Sequence, residues 1–236
     1  MKSSSLLTPY SLLALPLVVG ILHTPACLKK LEAEKTVLNT SSIDLLEVRL
    51  DKLPHDSLKL IEWPLPVIAT ARDPKEGGWN NLSLKQRQEL LESALSWAAI
   101  IDIELASAIE FSTLIATARR HDRDIILSHH DFQTTPDVKK LCELATQAHD
   151  AGASLLKIAT MTSSEEEVKR LLEFQQISHL IPVATMGMGP LGKKSRLQLA
   201  KIGTRLLYGY LYEPFSTIPA SMQWEAKELA RIFHPS

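Results

Sequence analysis

Short apolar runs alternate with amphipathic helical stretches from one end of the chain to the other, and this alternation limits the fold more than any other feature. Runs of this length are too short for helices and too apolar for loops, so they read as buried strands. They fall at Leu12–Val18, Leu45–Leu50, Val67–Ala71, Ile100–Leu105, Ile125–His130, Leu155–Ala159, Ile181–Met186 and Leu206–Leu211. The stretches between them carry helix-start signals. Ser83-Leu84-Lys85-Gln86 is a capping box, Thr135-Pro136 offers a cap followed by a first-turn proline, and Thr162–Glu167 sets hydroxyls before acids. A last helix is predicted from Ser221 to Phe233. Strands that alternate strictly with helices form parallel sheets, and eight such units without a composition break predict a (β/α)8 barrel as a single domain over residues 1–236. An open doubly wound sheet is the alternative. It would carry a glycine-rich phosphate turn, and the chain holds neither G-x-G-x-x-G nor a P-loop.

The apolar run near the N-terminus allows a second reading. Lys2, the run Leu12–Leu22 and Ala26-Cys27 resemble a short leader. Pro9, Pro16 and Pro25 interrupt it, and its length is below a bilayer span, so a first barrel strand is the preferred reading. A formal net charge of −1 gives no electrostatic footprint for nucleic acid. Cys27 and Cys142 form no C-x-x-C pair, which points to a reducing, cytoplasmic setting. No metal-ligand spacing such as H-E-x-x-H occurs, so neither metal nor nucleotide cofactor is expected.

Barrel strands alternate between a helix-facing and an inward side, so polar residues within them carry information. Glu47 and Arg49 oppose Leu46, Val48 and Leu50, and Thr70 and Arg72 oppose Val67, Ala69 and Ala71. Asp102 and Glu104 oppose Ile101, Ile103 and Leu105. Ser128 and His130 oppose Ile125 and Leu127, and Lys157 opposes Leu156 and Ile158. Burying this many charges without a use is costly. Most also lie toward the C-terminal halves of their strands, where barrel active sites are built. A lysine in a dry strand tends to lose its proton and become a nucleophile toward ketones. A structural reading stays open for any single residue: Lys157 could snorkel or pair, and Glu47 with Arg49 could be an ion pair. Of the adjacent His129 and His130, alternation sends only His130 inward. His23, His55, His121, His149, His179 and His234 need no more than surface or core roles.

Ser128-His129-His130-Asp131-Phe132, followed 27 residues after His130 by Lys157 in Leu156-Lys157-Ile158-Ala159, resembles the type I 3-dehydroquinate dehydratases. So do Glu47-Val48-Arg49-Leu50-Asp51, the segment Thr70-Ala71-Arg72 through Glu76-Gly77-Gly78, and Asp102-Ile103-Glu104. Thr185-Met186-Gly187-Met188 and Ser195-Arg196-Leu197 complete the set. Each motif alone is weak, but their order and spacing match over nearly the whole chain. One departure is plain. The family's S-A-P-G-Q loop is here Pro219-Ala220-Ser221-Met222-Gln223, so Gln223 carries over while Ser221 is only a candidate for the missing serine.

The resemblance implies a Schiff-base lyase of the shikimate pathway, acting at the third step of chorismate biosynthesis by syn elimination of water from 3-dehydroquinate. Lys157 would form the imine, His130 would move the proton, and Glu76 would orient the imidazole. Arg196, Gln223 and Ser221 would hold the substrate carboxylate, and Glu47, Arg49 and Arg72 its ring hydroxyls. The implied partner is the small-molecule substrate, with no nucleic acid, membrane or cofactor. A homodimer and a fusion to shikimate dehydrogenase stay open, as do a class I aldolase or transaldolase activity and a non-catalytic binding barrel. The loop Glu213–Gln223, with Pro214 and Pro219, is expected to be exposed and to respond to substrate.

Overall fold

A computed structural model of the 236-residue chain describes residues 7, 16–39, 42–55 and 58–234. Among the described residues eight strands and seven helices follow in the order β1 Leu17–Leu22, α1 Pro25–Asn39, β2 Leu45–Arg49, β3 Val67–Thr70, α2 Leu84–Ala94, β4 Ile100–Glu104, α3 Ser112–Arg120, β5 Asp124–Asp131, α4 Val138–Asp150, β6 Leu155–Met161, α5 Glu165–Gln176, β7 Val183–Met188, α6 Gly192–Lys201, β8 Leu206–Tyr210 and α7 Ala226–Phe233, with only a 3-10 turn, Leu58–Leu60, between β2 and β3. The hydrogen-bonded order is β7-β6-β5-β4-β3-β2-β1-β8. Pairing is parallel from β1 through β4 and from β5 through β7. The chain divides into two compact units, one holding Ile103–Leu207, the other Leu17–Asp102 with Tyr208–Ser236.

In the second unit β1, β2, β3 and β4 pair with a small stagger. Ile21 faces Glu47, Glu47 faces Ile68, Arg49 faces Thr70, and Thr70 faces Asp102. Helix α2 starts where expected: Ser83 and Gln86 each bond the other's main chain in a reciprocal box. In the Ile103–Leu207 unit the rows are Ser128–Lys157–Ala184 and His130–Ala159–Met186. Helix α5 also opens with a capping box, Ser164 with Glu167. The main chain of Arg205, just before β8, donates to the Val183 carbonyl at the start of β7.

Of the boundaries that differ from the sequence reading, four have a plain local cause. Among the described residues the first strand is Leu17–Leu22, running past Val18, and Pro16, which cannot donate to a ladder, precedes it; residues 12–15 of the expected run lie outside the described residues. Strand β7 starts at Val183, since Pro182 contributes only its carbonyl, which accepts from Leu156 N–H. The cap of α4 is Asp137, whose carboxylate accepts from Lys140 N–H. Thr135 instead bonds Thr160 and the Met161 carbonyl. The final helix starts at Ala226, preceded by a separate 3-10 turn at Ala220–Met222.

Candidate active site

The Ile103–Leu207 unit carries Lys157 and His130. Lys157 stands in mid-strand and is 4% exposed. Partners across a parallel ladder point to the same side, so its row neighbours Ser128 and Ala184 flank it with little bulk. His130 follows Ser128 by one pleat on that same side, beside Ala159 and then Met186. Its ring stacks on Phe132 with centroids 6.4 Å apart. His129 points the other way. Burial lowers its pKa, Asp131 opposes the shift, and Lys140 of α4 adds to it, which sets this imidazole on the helix side. Strand alternation places the two rings on opposite sides of β5.

Arg196 lies in α6, with Nε 3.4 Å from the Gly187 carbonyl of β7. Burial lowers its pKa to about 10, so the guanidinium stays charged at neutral pH. Gly187 explains how α6 comes so close: a Cβ there would collide with Ser195 Oγ and with Thr162 Oγ1, the latter at 2.7 Å. The Met-Gly-Met spacing thus serves helix approach, while Met186 and Met188 alternate with the glycine.

The other unit carries the remaining polar set. Glu47 is 3% exposed and accepts from Thr70 Oγ1 at 2.9 Å. Arg49 grips Asp51 through two bonds of 2.8 and 2.7 Å. Arg72 pairs with Asp102 at 3.0 Å, both buried. The Glu76 segment is a 3-10 turn, Pro74–Glu76, capped by Asp73, and Gly77 ends it at φ 83, a conformation glycine alone adopts without strain. Gln223 is 8% exposed, and its amide works on its own loop. The Oε1 accepts from Phe215 N–H at 2.7 Å, while Nε2 donates to the carbonyls of Phe215 and Ile218 at 2.9 and 2.7 Å. Ser221 is exposed on the 3-10 turn beside it.

Several residues of this unit were not singled out in the sequence. Tyr208 is buried in β8, and burial, then Glu47 and Asp102, hold its phenol well above the usual pKa against the opposing Arg72. The signal was available, because Gly209 abuts Ala226 of α7, where a Cβ would lie 2.6 Å from its nitrogen, which turns Tyr208 to the other face. His23 follows β1, is 5% exposed, and stacks on Phe215 at 4.0 Å. Arg87 of α2 is buried and donates to the Ala71 carbonyl and to Asp73, bracing the Glu76 turn from beneath. No sequence signal marks these two, because both depend on partners from distant segments.

Among the described residues no group of three or more His, Cys, Asp or Glu could hold a metal ion, and no helix is long and apolar enough to cross a membrane.

The family model described as type I 3-dehydroquinase matches residues 24–235. The chain belongs to the type I 3-dehydroquinase family. The 3-dehydroquinate dehydratase of Methanosarcina acetivorans is 35% identical over 233 residues, covering 91% of this chain and 92% of that protein. The bifunctional 3-dehydroquinate dehydratase/shikimate dehydrogenase of Arabidopsis thaliana is 32% identical over 213 residues, covering 85% of this chain but only 35% of the plant protein. Among solved structures, the 3-dehydroquinate dehydratase of Aquifex aeolicus VF5 superposes with a TM-score of 0.75 at 26% identity over 93% of this chain and 100% of that one. That of Clostridium difficile gives a TM-score of 0.80 at 24% identity, covering 93% and 92%. These likenesses give the type I 3-dehydroquinase chain its fold class, a parallel eight-stranded (β/α)8 barrel.

Proposed function

We propose that this chain removes water from 3-dehydroquinate through an imine on Lys157, giving 3-dehydroshikimate at the third step of chorismate biosynthesis. The observation that carries the reading is the row Ser128–Lys157–Ala184 with His130 one pleat away on the same side. A buried amine with small neighbours has room for a ketone carbon, and an imidazole on the next strand is the proton carrier that the reaction requires. The Lys157 nitrogen adds to the C3 carbonyl, and one water leaves as the iminium forms. The iminium draws electrons and acidifies C2–H. His130 removes that proton and returns it to the departing C1 hydroxyl, which leaves as a second water. Hydrolysis of the conjugated iminium consumes one water and frees Lys157, so the net change is the loss of one.

In this reading Glu76 is the carboxylate that serves the imidazole, and Glu47, Arg49 and Arg72 bind the ring hydroxyls. The ion pairs Arg49–Asp51 and Arg72–Asp102 support that role, since each guanidinium is fixed in orientation before substrate arrives. Arg196 holds the carboxylate, aided by Gln223 and Ser221. Gln223 would exchange one of its loop hydrogen bonds for that contact.

Borohydride added during turnover tests the assignment. Reduction should fix the ligand mass on the peptide containing Lys157, and Lys157→Arg should abolish both adduct and turnover, because a guanidinium cannot become the imine nitrogen. An adduct at Lys169 or Lys193, or turnover without any adduct, would overturn it. Trapping with an aldol substrate but not with 3-dehydroquinate would shift the reading to an aldolase.

A further inference from the structure

The end of β2 carries a cation that the proposed reaction does not use. Lys52 follows the Arg49–Asp51 pair, and its ammonium sits over two rings from opposite parts of the sequence: Trp79 at 4.3 Å and Phe215 at 5.1 Å from the centroids. Among the described residues this ammonium forms no ion pair. Trp79 lies three residues beyond Glu76, in the turn that follows β3. Phe215 lies in the loop between β8 and α7, and its main chain is the one Gln223 grips from both sides.

The same point of β2 reaches the first of these loops twice more. Asp51 accepts from Trp79 N–H at 2.9 Å, and the Asn80 amide donates to the Asp51 carbonyl at 3.0 Å. The second loop is held from behind, where His23 stacks on Phe215 and Thr24 Oγ1 donates to Glu213 at 3.1 Å. Lys52 is therefore where two otherwise separately anchored loops meet. A cation between two aromatic faces is attracted by both rings, and partial loss of hydration strengthens the attraction. Half-burial of Lys52 is consistent with that, since its pKa is lowered first by burial, then by Arg49, and raised by Asp51.

We propose that Lys52 is a positioning residue that couples the loop bearing Glu76 to the loop bearing Gln223, through simultaneous cation–π contacts with Trp79 and Phe215. The two loops then open together and not independently. The catalytic part of the statement rests on the dehydratase reading above; the mechanical part does not.

A double-mutant cycle tests the coupling on the full chain without ligand. Subtilisin nicking within residues 213–223, located by mass, reads the open population of the second loop. Lys52→Gln should speed nicking by about three- to tenfold, in line with the loss of a cation–π pair. Lys52→Arg should restore the parent rate, because a guanidinium also binds aromatic faces. The decisive variant is Trp79→Leu. It lies in the other loop, yet it should speed nicking in 213–223 by a similar factor, and should add almost nothing once Lys52 is Gln. If Trp79→Leu leaves nicking unchanged, or its effect multiplies with that of Lys52→Gln, the coupling does not exist.

Turnover supplies the second readout. Lys52→Gln should raise KM by no more than the nicking factor and leave kcat within about twofold, because saturating substrate selects the closed loops. A fall in kcat at unchanged KM would make Lys52 a participant in the chemistry and overturn the positioning role. If the parent chain does not turn over 3-dehydroquinate, the dehydratase reading fails while the nicking cycle still decides the coupling.

Discussion

His23 makes the cost of acid calculable at one residue. It is 5% exposed, and its pKa is lowered to about 4, first by burial, then by Lys52 and Arg49, against the opposing pull of Glu213 and Glu47. In the unfolded chain it titrates near 6.5. Between those values the unfolded state binds the extra proton, so stability falls as pH drops from 6.5 and the loss is complete below about 4. The gap corresponds to roughly 3 kcal/mol, of which about 2–3 has gone by pH 4.5. His23→Phe keeps a flat ring against Phe215 but has no proton to bind. Urea unfolding of both proteins at pH 7.5 and pH 4.5 isolates the term, since other titrating groups are common to the pair. The parent midpoint should fall by about 1 M more than that of His23→Phe over this interval. Added salt at pH 5 should recover little, because burial outranks the neighbouring cations. Equal losses in the two proteins would mean that His23 meets water in the native state and that its packing against Phe215 is not the cause of its low pKa.

Three further outcomes are expected. His130→Ala should lower turnover by about 10²–10⁴ while still allowing the borohydride adduct at Lys157, and His129→Ala should be mild; the reverse order would break the strand alternation used for β5. Arg87→Met should destabilise the fold by about 3 kcal/mol in denaturant titrations, because Asp73 loses its buried cation and the Ala71 carbonyl its donor. Unchanged stability would show that α2 does not brace the Glu76 turn. Gly187→Ala should cost about 1–3 kcal/mol of stability by overpacking against Ser195 and Thr162. It should also raise KM with kcat nearly unchanged, since Arg196 is carried outward with α6; a normal KM would separate Arg196 from substrate binding.

The sequence was most readable where period and local chemistry agree. In β2, β3 and β6 the residues opposite the apolar row are the ones that the ladders bring together, because a one-residue slip would bury the wrong side. The Ser83–Gln86 box starts α2 because its partners lie within one turn. Legibility fails where the partner is far away. Nothing near Lys52 announces Trp79, 27 residues on, or Phe215, 163 residues on. Arg87 sits on an amphipathic helix, where an arginine is ordinarily a solvated residue, yet the open carbonyl of Ala71 and the Asp73 carboxylate draw it inward. Thr135 reads as a cap from local sequence, yet Asp137 makes that cap, because a hydroxyl on β6, at Thr160, competes for Thr135. Among the described residues the first strand begins after Pro16 and runs on to Leu22, past Val18, since a proline inside an apolar run leaves hydropathy untouched while removing a ladder donor.

The row Ser128–Lys157–Ala184 draws on β5, β6 and β7, which are consecutive in the chain, so each neighbour of the amine lies fewer than 30 residues from it. The electrostatic surroundings of Glu47 are built differently, for they include Tyr208, which is 161 residues away. Short separations close at small entropic cost and long ones late. During synthesis, then, the ladder row around Lys157 can form once residue 188 has emerged, while the residues around Glu47 wait for β8. The order of assembly is thus written in the spacing: the row around Lys157 closes first, and the tyrosine arrives after it.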